Sequence, residues 1–203
     1  MSRLAGIGGI VLCGGQSSRM GQPKAWLPFG NEVLLQRVVR LLREVLSPIV
    51  VVAAPGQELP ELPPDVLIAR DEREAHGPIG GMAAGFAALR GQVAAAYVSA
   101  CDVPLLKPEV VRLICEQLGA ADVAIPVDGQ FPQPLAAVYR LTLEPRLQEM
   151  LETGQLRVVH LWDGAAVKQI AIETLRGLDP DLDSFRNANT PDEFAAIRLR
   201  AGL

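Results

Sequence analysis

The chain has 203 residues, of which 49% are hydrophobic and 21% charged, so it can bury a core and is not disordered. Its formal net charge of −4 argues against general binding to nucleic-acid backbones, which needs a basic surface. No apolar run reaches the ~18 residues that span a bilayer, and we expect neither a membrane segment nor a signal peptide. The three cysteines lack metal-site spacing and predict a reducing, cytoplasmic setting.

Continuous apolar runs alternate with helical patterns along the chain. The predicted strands cover residues 7–12, 49–54, 66–69, 94–100, 123–126 and 166–172. The predicted helices cover residues 32–46, 77–90, 108–118, 141–151 and 191–200. This alternation predicts an α/β protein with three layers, α/β/α, and a mostly parallel central sheet that is covered on both faces. The length suits a single domain over residues 1–203.

Two segments are less regular. Residues 131–139 alternate loosely and contain Pro132 and Pro134, which predicts an edge or excursion strand. The last helix carries a stronger signal, because Thr190, Pro191 and Glu193 form a capping box with proline in the first turn.

A glycine-rich stretch at residues 12–24 follows the first predicted strand. Its glycines and serines, Ser18 among them, disfavour a helix and leave backbone N–H groups that an anion could bind. Arg19 and Lys24 add two cationic side chains. The alternative is a solvated loop with two surface cations. The position favours a triphosphate loop, because open α/β sheets bind ligands at the carboxyl ends of their strands.

Two aspartates follow predicted strands at the same sheet edge. Asp102 is the better candidate for a Mg²⁺ ligand, because the Val-Pro that follows it makes a helix cap unlikely. Asp71 could bind the metal, the ribose or a base, or it could simply begin the next loop. A triphosphate normally binds together with Mg²⁺, which one or two carboxylates hold.

A run of small residues opens the helix after Asp71. Glycine costs about 1 kcal/mol relative to alanine inside a helix. Gly80, Gly81 and Gly85 therefore predict a close approach, either of a ligand or of the sheet against which the helix packs. Near the end of the chain, Asn187 and Asn189 precede the capped helix, where they could shape a turn, coordinate Mg²⁺ or bind a substrate.

At these positions the chain resembles a known family. Residues 12–24, Leu-Cys-Gly-Gly-Gln-Ser-Ser-Arg-Met-Gly-Gln-Pro-Lys, resemble the signature of nucleotidyltransferases with a glycosyltransferase-A-like Rossmann fold. Within that superfamily the chain is most similar to the molybdenum cofactor guanylyltransferases. Four further segments agree in order: Asp71 with residues 77–82, Cys-Asp-Val-Pro at 101–104, Gln-Pro-Leu-Ala-Ala-Val-Tyr at 133–139, and Asn-Ala-Asn-Thr-Pro-Asp-Glu at 187–193.

The resemblance implies a fold of the nucleotide-diphospho-sugar transferase type and the transfer of GMP from GTP to molybdopterin. It implies that Lys24 contacts the nucleotide phosphates, that Asp71 binds nucleotide, and that Asp102 binds Mg²⁺ and nucleotide. The backbone that holds the phosphates would be that of Leu12, Cys13, Gly14 and Gly15. Molybdenum-insertion and molybdoenzyme-maturation proteins are the partners that such an enzyme could meet.

Together these observations assign roles. Arg19, Lys24 and Asp102 are the predicted catalytic residues, and Gly80 is a further candidate for nucleotide binding. We expect residues 1–105 to bind the nucleotide and residues 106–203 to bind the acceptor. The predicted acceptor contacts are Pro134, Arg157, Asn187 and Asn189.

The chain departs from the family pattern at three positions. Cys13 stands where alanine is usual, Pro23 where aspartate is common, and Ala53 where an asparagine often binds nucleotide. The Cys-Gly-Gly at residues 13–15 favours guanine over the cytosine that relatives with Ala-Ala-Gly use. Two alternatives stay open: a nucleotidyltransferase that uses CTP or a sugar phosphate, and a non-catalytic nucleotide-binding module.

Overall fold

The computed structural model describes residues 2–14, 22–71 and 76–203. Its strands are β1 (Ile7–Leu12), β2 (Pro28–Phe29), β3 (Glu32–Val33), β4 (Ile49–Ala53), β5 (Leu67–Arg70), β6 (Ala95–Ala100), β7 (Val123–Asp128), β8 (Phe131–Pro132), β9 (Ala136–Arg140) and β10 (Val167–Ala171). Its α-helices are α1 (Leu34–Arg43), α2 (Gly77–Leu89), α3 (Pro108–Glu116), α4 (Glu144–Thr153) and α5 (Pro191–Arg200). Short 3₁₀ turns cover Lys24–Trp26, Leu141–Leu143, Val158–Trp162, Ile172–Gly177 and Asp183–Phe185.

Within the described residues, one sheet of eight strands forms the centre of the molecule. Its order is β10-β7-β9-β6-β1-β4-β5, with β8 paired to β7, and all neighbours are parallel except at β8 and β9. One buried cluster joins α1 and α3 to one face, and a second joins α2 and α4 to the other. The predicted three-layer arrangement is therefore confirmed.

The prediction of an edge or excursion strand at residues 131–139 holds for residues 131–132, which form the peripheral strand β8, and is wrong for residues 136–139, which belong to β9. β9 lies inside the sheet, antiparallel to both β6 and β7. Both prolines fall outside it, so the paired part, Ala136–Arg140, keeps all of its backbone N–H donors. Its first four residues are buried, as an inner strand requires. Only β8, which contains Pro132, is a short peripheral strand.

The capping box at the start of α5 is confirmed. Glu193 N donates to Thr190 Oγ1 (3.2 Å), and Thr190 N donates to Glu193 Oε2 (2.9 Å). Asn189 N donates to the same carboxylate oxygen at 3.0 Å. The cap thus fixes the backbone of the residue that precedes the helix as well as the helix itself.

The glycines of α2 bring this helix against β1. A Cβ on Gly85 would lie 2.8 Å from the side chain of Ile10, and one on Gly81 would lie 3.0 Å from that of Leu12. Close packing on the sheet therefore explains these two glycines, one of the alternatives that the sequence leaves open. No helix within the part of the chain that the structure describes is long and apolar enough to cross a bilayer.

Candidate functional site

A cavity of about 850 Å³ opens where β1, β4 and β6 end and α2 begins. Parallel strands present their carboxyl ends at one sheet edge, so residues far apart in sequence meet there. The predicted site residues that line it are Leu12, Cys13, Gly14, Lys24, Asp71, Asp102, Asn187 and Asn189. The volume lies within the range of about 300–1,000 Å³ that is usual for small-molecule sites.

Lys24 and Asp102 form an ion pair inside this cavity. Lys24 Nζ lies 2.5 Å from Asp102 Oδ2 and donates a second hydrogen bond to Asn189 Oδ1 at 2.7 Å. The Asp102 side chain is only 7% exposed and that of Lys24 is 20% exposed. The lysine comes from the end of the glycine-rich stretch and the aspartate from the end of β6, so the pair joins two predicted motifs.

The segment 187–189 also binds Asp102, at the carboxylate oxygen that Lys24 does not contact and at the backbone carbonyl. Asn187 Nδ2 donates to Asp102 Oδ1 at 2.9 Å, and Ala188 N donates to the Asp102 backbone carbonyl at 2.9 Å. Both carboxylate oxygens of Asp102 therefore have a donor. A carboxylate fixed at one oxygen by an amide and neutralised at the other by an ammonium is oriented before any ligand arrives.

Asp71 occupies the end of β5 as predicted, and its backbone N donates to Ala53 O at 2.9 Å. Its carboxylate lies against Gly80: a Cβ at position 80 would be 2.5 and 2.7 Å from the two carboxylate oxygens. Gly80 is buried and is not among the residues that line the cavity. Its absent side chain makes room for Asp71, so any effect of Gly80 on a ligand acts through that carboxylate.

Gln57 is a cavity residue that the sequence did not single out. Its side chain accepts from Ala54 N (2.9 Å) and donates to Cys13 O (3.1 Å), joining the ends of β4 and β1. Arg70 Nη1 donates to the carbonyls of Ala54 and Gln57 at 3.0 and 2.7 Å, which ties down the same turn. The only sequence signal is a carboxamide three residues beyond the strand predicted at residues 49–54.

Some predicted residues do not reach this cavity. Arg157 is exposed ahead of the 3₁₀ turn Val158–Trp162, and neither it nor Pro134 is among the described residues that line the cavity. Pro134 O accepts from the hydroxyl of buried Tyr139 at 2.8 Å, while its neighbour Leu135 does line the cavity. The predictions for Gly15, Ser18 and Arg19 lie outside the described residues.

The model of the MobA-like NTP transferase domain matches residues 9–167 of the chain. The chain belongs to the MobA-like NTP transferase family. Its relative from Pelotomaculum thermopropionicum, named "Probable molybdenum cofactor guanylyltransferase", is 35% identical over 95% of this chain and 92% of that protein. A relative of the same name from Mycobacterium avium is 37% identical over 94% of each chain.

The crystal structure of molybdopterin-guanine dinucleotide biosynthesis protein A from Archaeoglobus fulgidus has a similar fold. It superposes with a TM-score of 0.78, at 25% identity, over 96% of this chain and 98% of that one. The predicted family and fold type are thus confirmed, and this member of the MobA-like NTP transferase family is an enzyme, a nucleotidyltransferase.

This nucleotidyltransferase has two thiols in its cavity wall. The hydrogen bond from Cys101 lowers the pKa of the Cys13 thiol, and one from Gln57 adds to this against the opposing effect of burial. The same hydrogen bond to Cys13, together with burial, raises the pKa of Cys101. The pKa of the Cys13 thiol therefore lies below that of the Cys101 thiol, although each residue is 6% exposed.

Proposed function

We propose that this nucleotidyltransferase transfers GMP from GTP to the phosphate of molybdopterin and releases pyrophosphate. The observation that carries the proposal is the convergence of Lys24, Asp102 and the first residues of the glycine-rich stretch on one cavity. A cation, a carboxylate and a glycine-rich backbone at a strand end are the groups that a triphosphate requires. The names of the relatives supply the guanine and the acceptor.

The donor set of the cavity fits Mg²⁺. Asp102 Oδ2 and Asn189 Oδ1 already accommodate one positive charge between them, that of Lys24. Within the described residues no group of three or more His, Cys, Asp and Glu side chains could hold a metal ion. We therefore propose that Asp102 holds Mg²⁺ together with nucleotide phosphates, an arrangement usual for this ion. When bound, the ion would screen the charge of the triphosphate and of the leaving pyrophosphate.

Lys24 changes partner in this scheme. In the structure its ammonium neutralises Asp102, and a triphosphate in the cavity offers it several anionic oxygens instead. Its transfer to the phosphates would uncover Asp102 Oδ2 at the moment when the metal–nucleotide complex enters. Asn187 keeps its hydrogen bond to Oδ1 and so holds the orientation of the carboxylate during the exchange.

The reaction needs no protein nucleophile, because a phosphate oxygen of the acceptor is ionised at neutral pH. That oxygen attacks the α-phosphorus of GTP in line, a new P–O bond forms, and the bond to the oxygen bridging the α- and β-phosphorus atoms breaks. The electron pair leaves with pyrophosphate. Lys24 and the loop N–H groups stabilise the charge that develops, and Arg19 stays a predicted contributor. The acceptor contacts of Pro134, Arg157, Asn187 and Asn189 likewise stay predictions.

Thermal unfolding with Mg²⁺ and each of the four nucleoside triphosphates tests the nucleotide half of the proposal. A ligand at 100 times its Kd stabilises the folded state by about 2.7 kcal/mol. We expect GTP to raise Tm, Asp102→Asn to lose most of this rise, and Asp128→Asn, which changes an exposed carboxylate at the end of β7, to retain it. Protection by CTP or UTP in place of GTP would favour the alternative nucleotidyltransferases.

Pyrophosphate release with GTP, Mg²⁺ and molybdopterin tests the transfer itself. The alternative of a non-catalytic nucleotide-binding module predicts protection by GTP without release of pyrophosphate. Turnover that disappears in Asp102→Asn, with an unchanged fold by circular dichroism, is the result that we expect.

A further inference from the structure

Two cysteines stand side by side at the end of neighbouring strands. β1 and β6 pair in parallel up to the partners Leu12 and Ala100, and Cys13 and Cys101 are the next residues of each chain segment. The pairing continues here, because Cys101 N donates to Leu12 O at 3.1 Å. Both side chains belong to the same buried cluster. The register therefore makes Cys13 and Cys101 lateral neighbours across this strand pair.

The two cysteines are buried in the core but also border the nucleotide cavity. Both residues line the nucleotide cavity, from which a small reagent could reach them. Gln57 Nε2 donates to Cys13 Sγ at 3.5 Å, a contact that favours the thiolate form of this sulfur. The third cysteine, Cys115 in α3, is 3% exposed and does not line this cavity. It offers a matched control within the same chain.

We propose that Cys13 and Cys101 form a reversible modification site, at which a hydroperoxide joins the two sulfurs in a disulfide and thereby suppresses nucleotide binding. Cys13, with its additional donor, is the attacking sulfur, and Cys101 is the resolving one. The inference goes beyond the proposed function, since the cross-link depends only on the thiol pair. Its effect on binding rests on the proposed function of the cavity.

The chemistry balances with hydrogen peroxide as oxidant. The Cys13 thiolate attacks one peroxide oxygen, the O–O bond breaks, and a sulfenic acid and water result. The Cys101 sulfur then attacks the Cys13 sulfur, the S–O bond breaks, and a second water leaves. Two thiols have lost two electrons and two protons, and one peroxide has been reduced to two waters. A thiol reductant reverses the change by exchange.

The cross-link would disturb the site through its neighbours in sequence. Non-bonded heavy atoms in contact lie about 3.5–4 Å apart, whereas the sulfurs of a disulfide lie about 2 Å apart. The side chains, the strand ends or both must therefore shift by on the order of 1 Å, and Gly14 and Asp102 follow the two cysteines directly. A misplacement of this size can reduce kcat/KM by about 100-fold.

Peptide mapping of the full-length protein after hydrogen peroxide treatment, without reduction, tests the pairing. We expect a peptide that links Cys13 to Cys101, with Cys115 still a thiol. In Cys101→Ser, oxidation of Cys13 should stop at the sulfenic acid, which dimedone traps, and Cys115→Ser should behave like the unchanged protein. Bound GTP with Mg²⁺ should slow the cross-link.

The functional effect is read from the GTP-induced rise in Tm before and after oxidation. We expect the oxidised protein to lose this rise, dithiothreitol to restore it, and Cys101→Ser to retain it. Absence of the linked peptide overturns the proposal, as does a linked protein that still shows the full rise. If the reduced protein gains no stability from GTP, the proposed function fails, while the peptide map still decides whether the thiols pair.

Discussion

Replacement of Lys24 by methionine should open Asp102 to metal ions before any nucleotide arrives. Nζ of Lys24 lies 2.5 Å from Asp102 Oδ2, and the two side chains are 20% and 7% exposed. Methionine keeps the length of the side chain and removes its charge and donors. The oxygen that the ammonium covers then becomes accessible to a divalent cation, while Asn187 still holds Oδ1.

The size of the effect follows from the ion pair. Unit charges about 4 Å apart interact by about 4 kcal/mol at an effective dielectric constant of about 20. Partial exposure and the hydration of the released ammonium reduce this value, so we expect a coupling of about 1–3 kcal/mol, which is about 5- to 150-fold in affinity. Mn²⁺ should therefore bind the nucleotide-free Lys24→Met protein more tightly than the unchanged protein by such a factor.

The assay is a Mn²⁺ titration without nucleotide, followed by the electron paramagnetic resonance signal of the free ion. Arg70→Met is the control, because Arg70 is an exposed cation that binds Ala54 O and Gln57 O and not Asp102. It should change Mn²⁺ affinity far less. If Lys24→Met and the unchanged protein bind Mn²⁺ with equal affinity, the proposal that Lys24 covers the metal-binding oxygen of Asp102 is refuted. If Arg70→Met gains as much Mn²⁺ affinity as Lys24→Met, the effect comes only from the loss of one positive charge.

Three further predictions concern packing, capping and pH. Gly80→Ala should shift the Asp71 carboxylate, which lies 2.5 Å from the position of the new Cβ, lowering the free energy of unfolding by about 1–3 kcal/mol and weakening GTP protection. Gly177→Ala, with nothing within 4 Å, should change stability by less than about 0.5 kcal/mol in the same urea titration. Thr190→Ala removes the helix cap and should lower the free energy of unfolding by about 1 kcal/mol in the same urea titration; an unchanged free energy of unfolding would show that the cap contributes nothing. Hydrogen bonds from two arginines hold the pKa of Glu32 below its ordinary value. The stability advantage over Glu32→Gln should thus be complete above about pH 4.3 and fall as the pH drops through the lowered pKa, whereas an advantage that grows in acid would contradict this.

The sequence was sufficient for features that depend on local pattern. The buried strands β1, β4, β6 and β7 follow from apolar runs, the helix at Pro191 follows from a capping box, and the aspartates follow from their position after strands. The apolar run at residues 66–69 is also a strand, but it is the exposed edge strand β5. The sequence does not predict the inner position of β9, because Pro132 and Pro134 lie close to it and proline disfavours an inner strand. Whether a proline falls inside or just before a ladder depends on pairing with strands far away in sequence.

The contacts inside the cavity also depend on distant pairings. Lys24 and Asp102 were each predicted, but their mutual ion pair needs the two sheet-edge segments to be placed against one another. The proximity of Cys13 to Cys101 requires the β1–β6 register, which no local pattern supplies. The role of Gln57 cannot be predicted for the same reason. Its hydrogen bonds to Ala54 and Cys13 form only because β4 and β1 are adjacent in the sheet.

The most direct test of the proposed reaction follows the α-phosphate of GTP. Incubation with molybdopterin, Mg²⁺ and α-³²P-labelled GTP should move the label into a molybdopterin dinucleotide, while γ-labelled GTP should release its label as pyrophosphate. Asp102→Asn should abolish both. If the α-label stays in GTP, or if α-labelled CTP transfers its label faster than α-labelled GTP does, the assignment of this cavity to guanylyl transfer is contradicted.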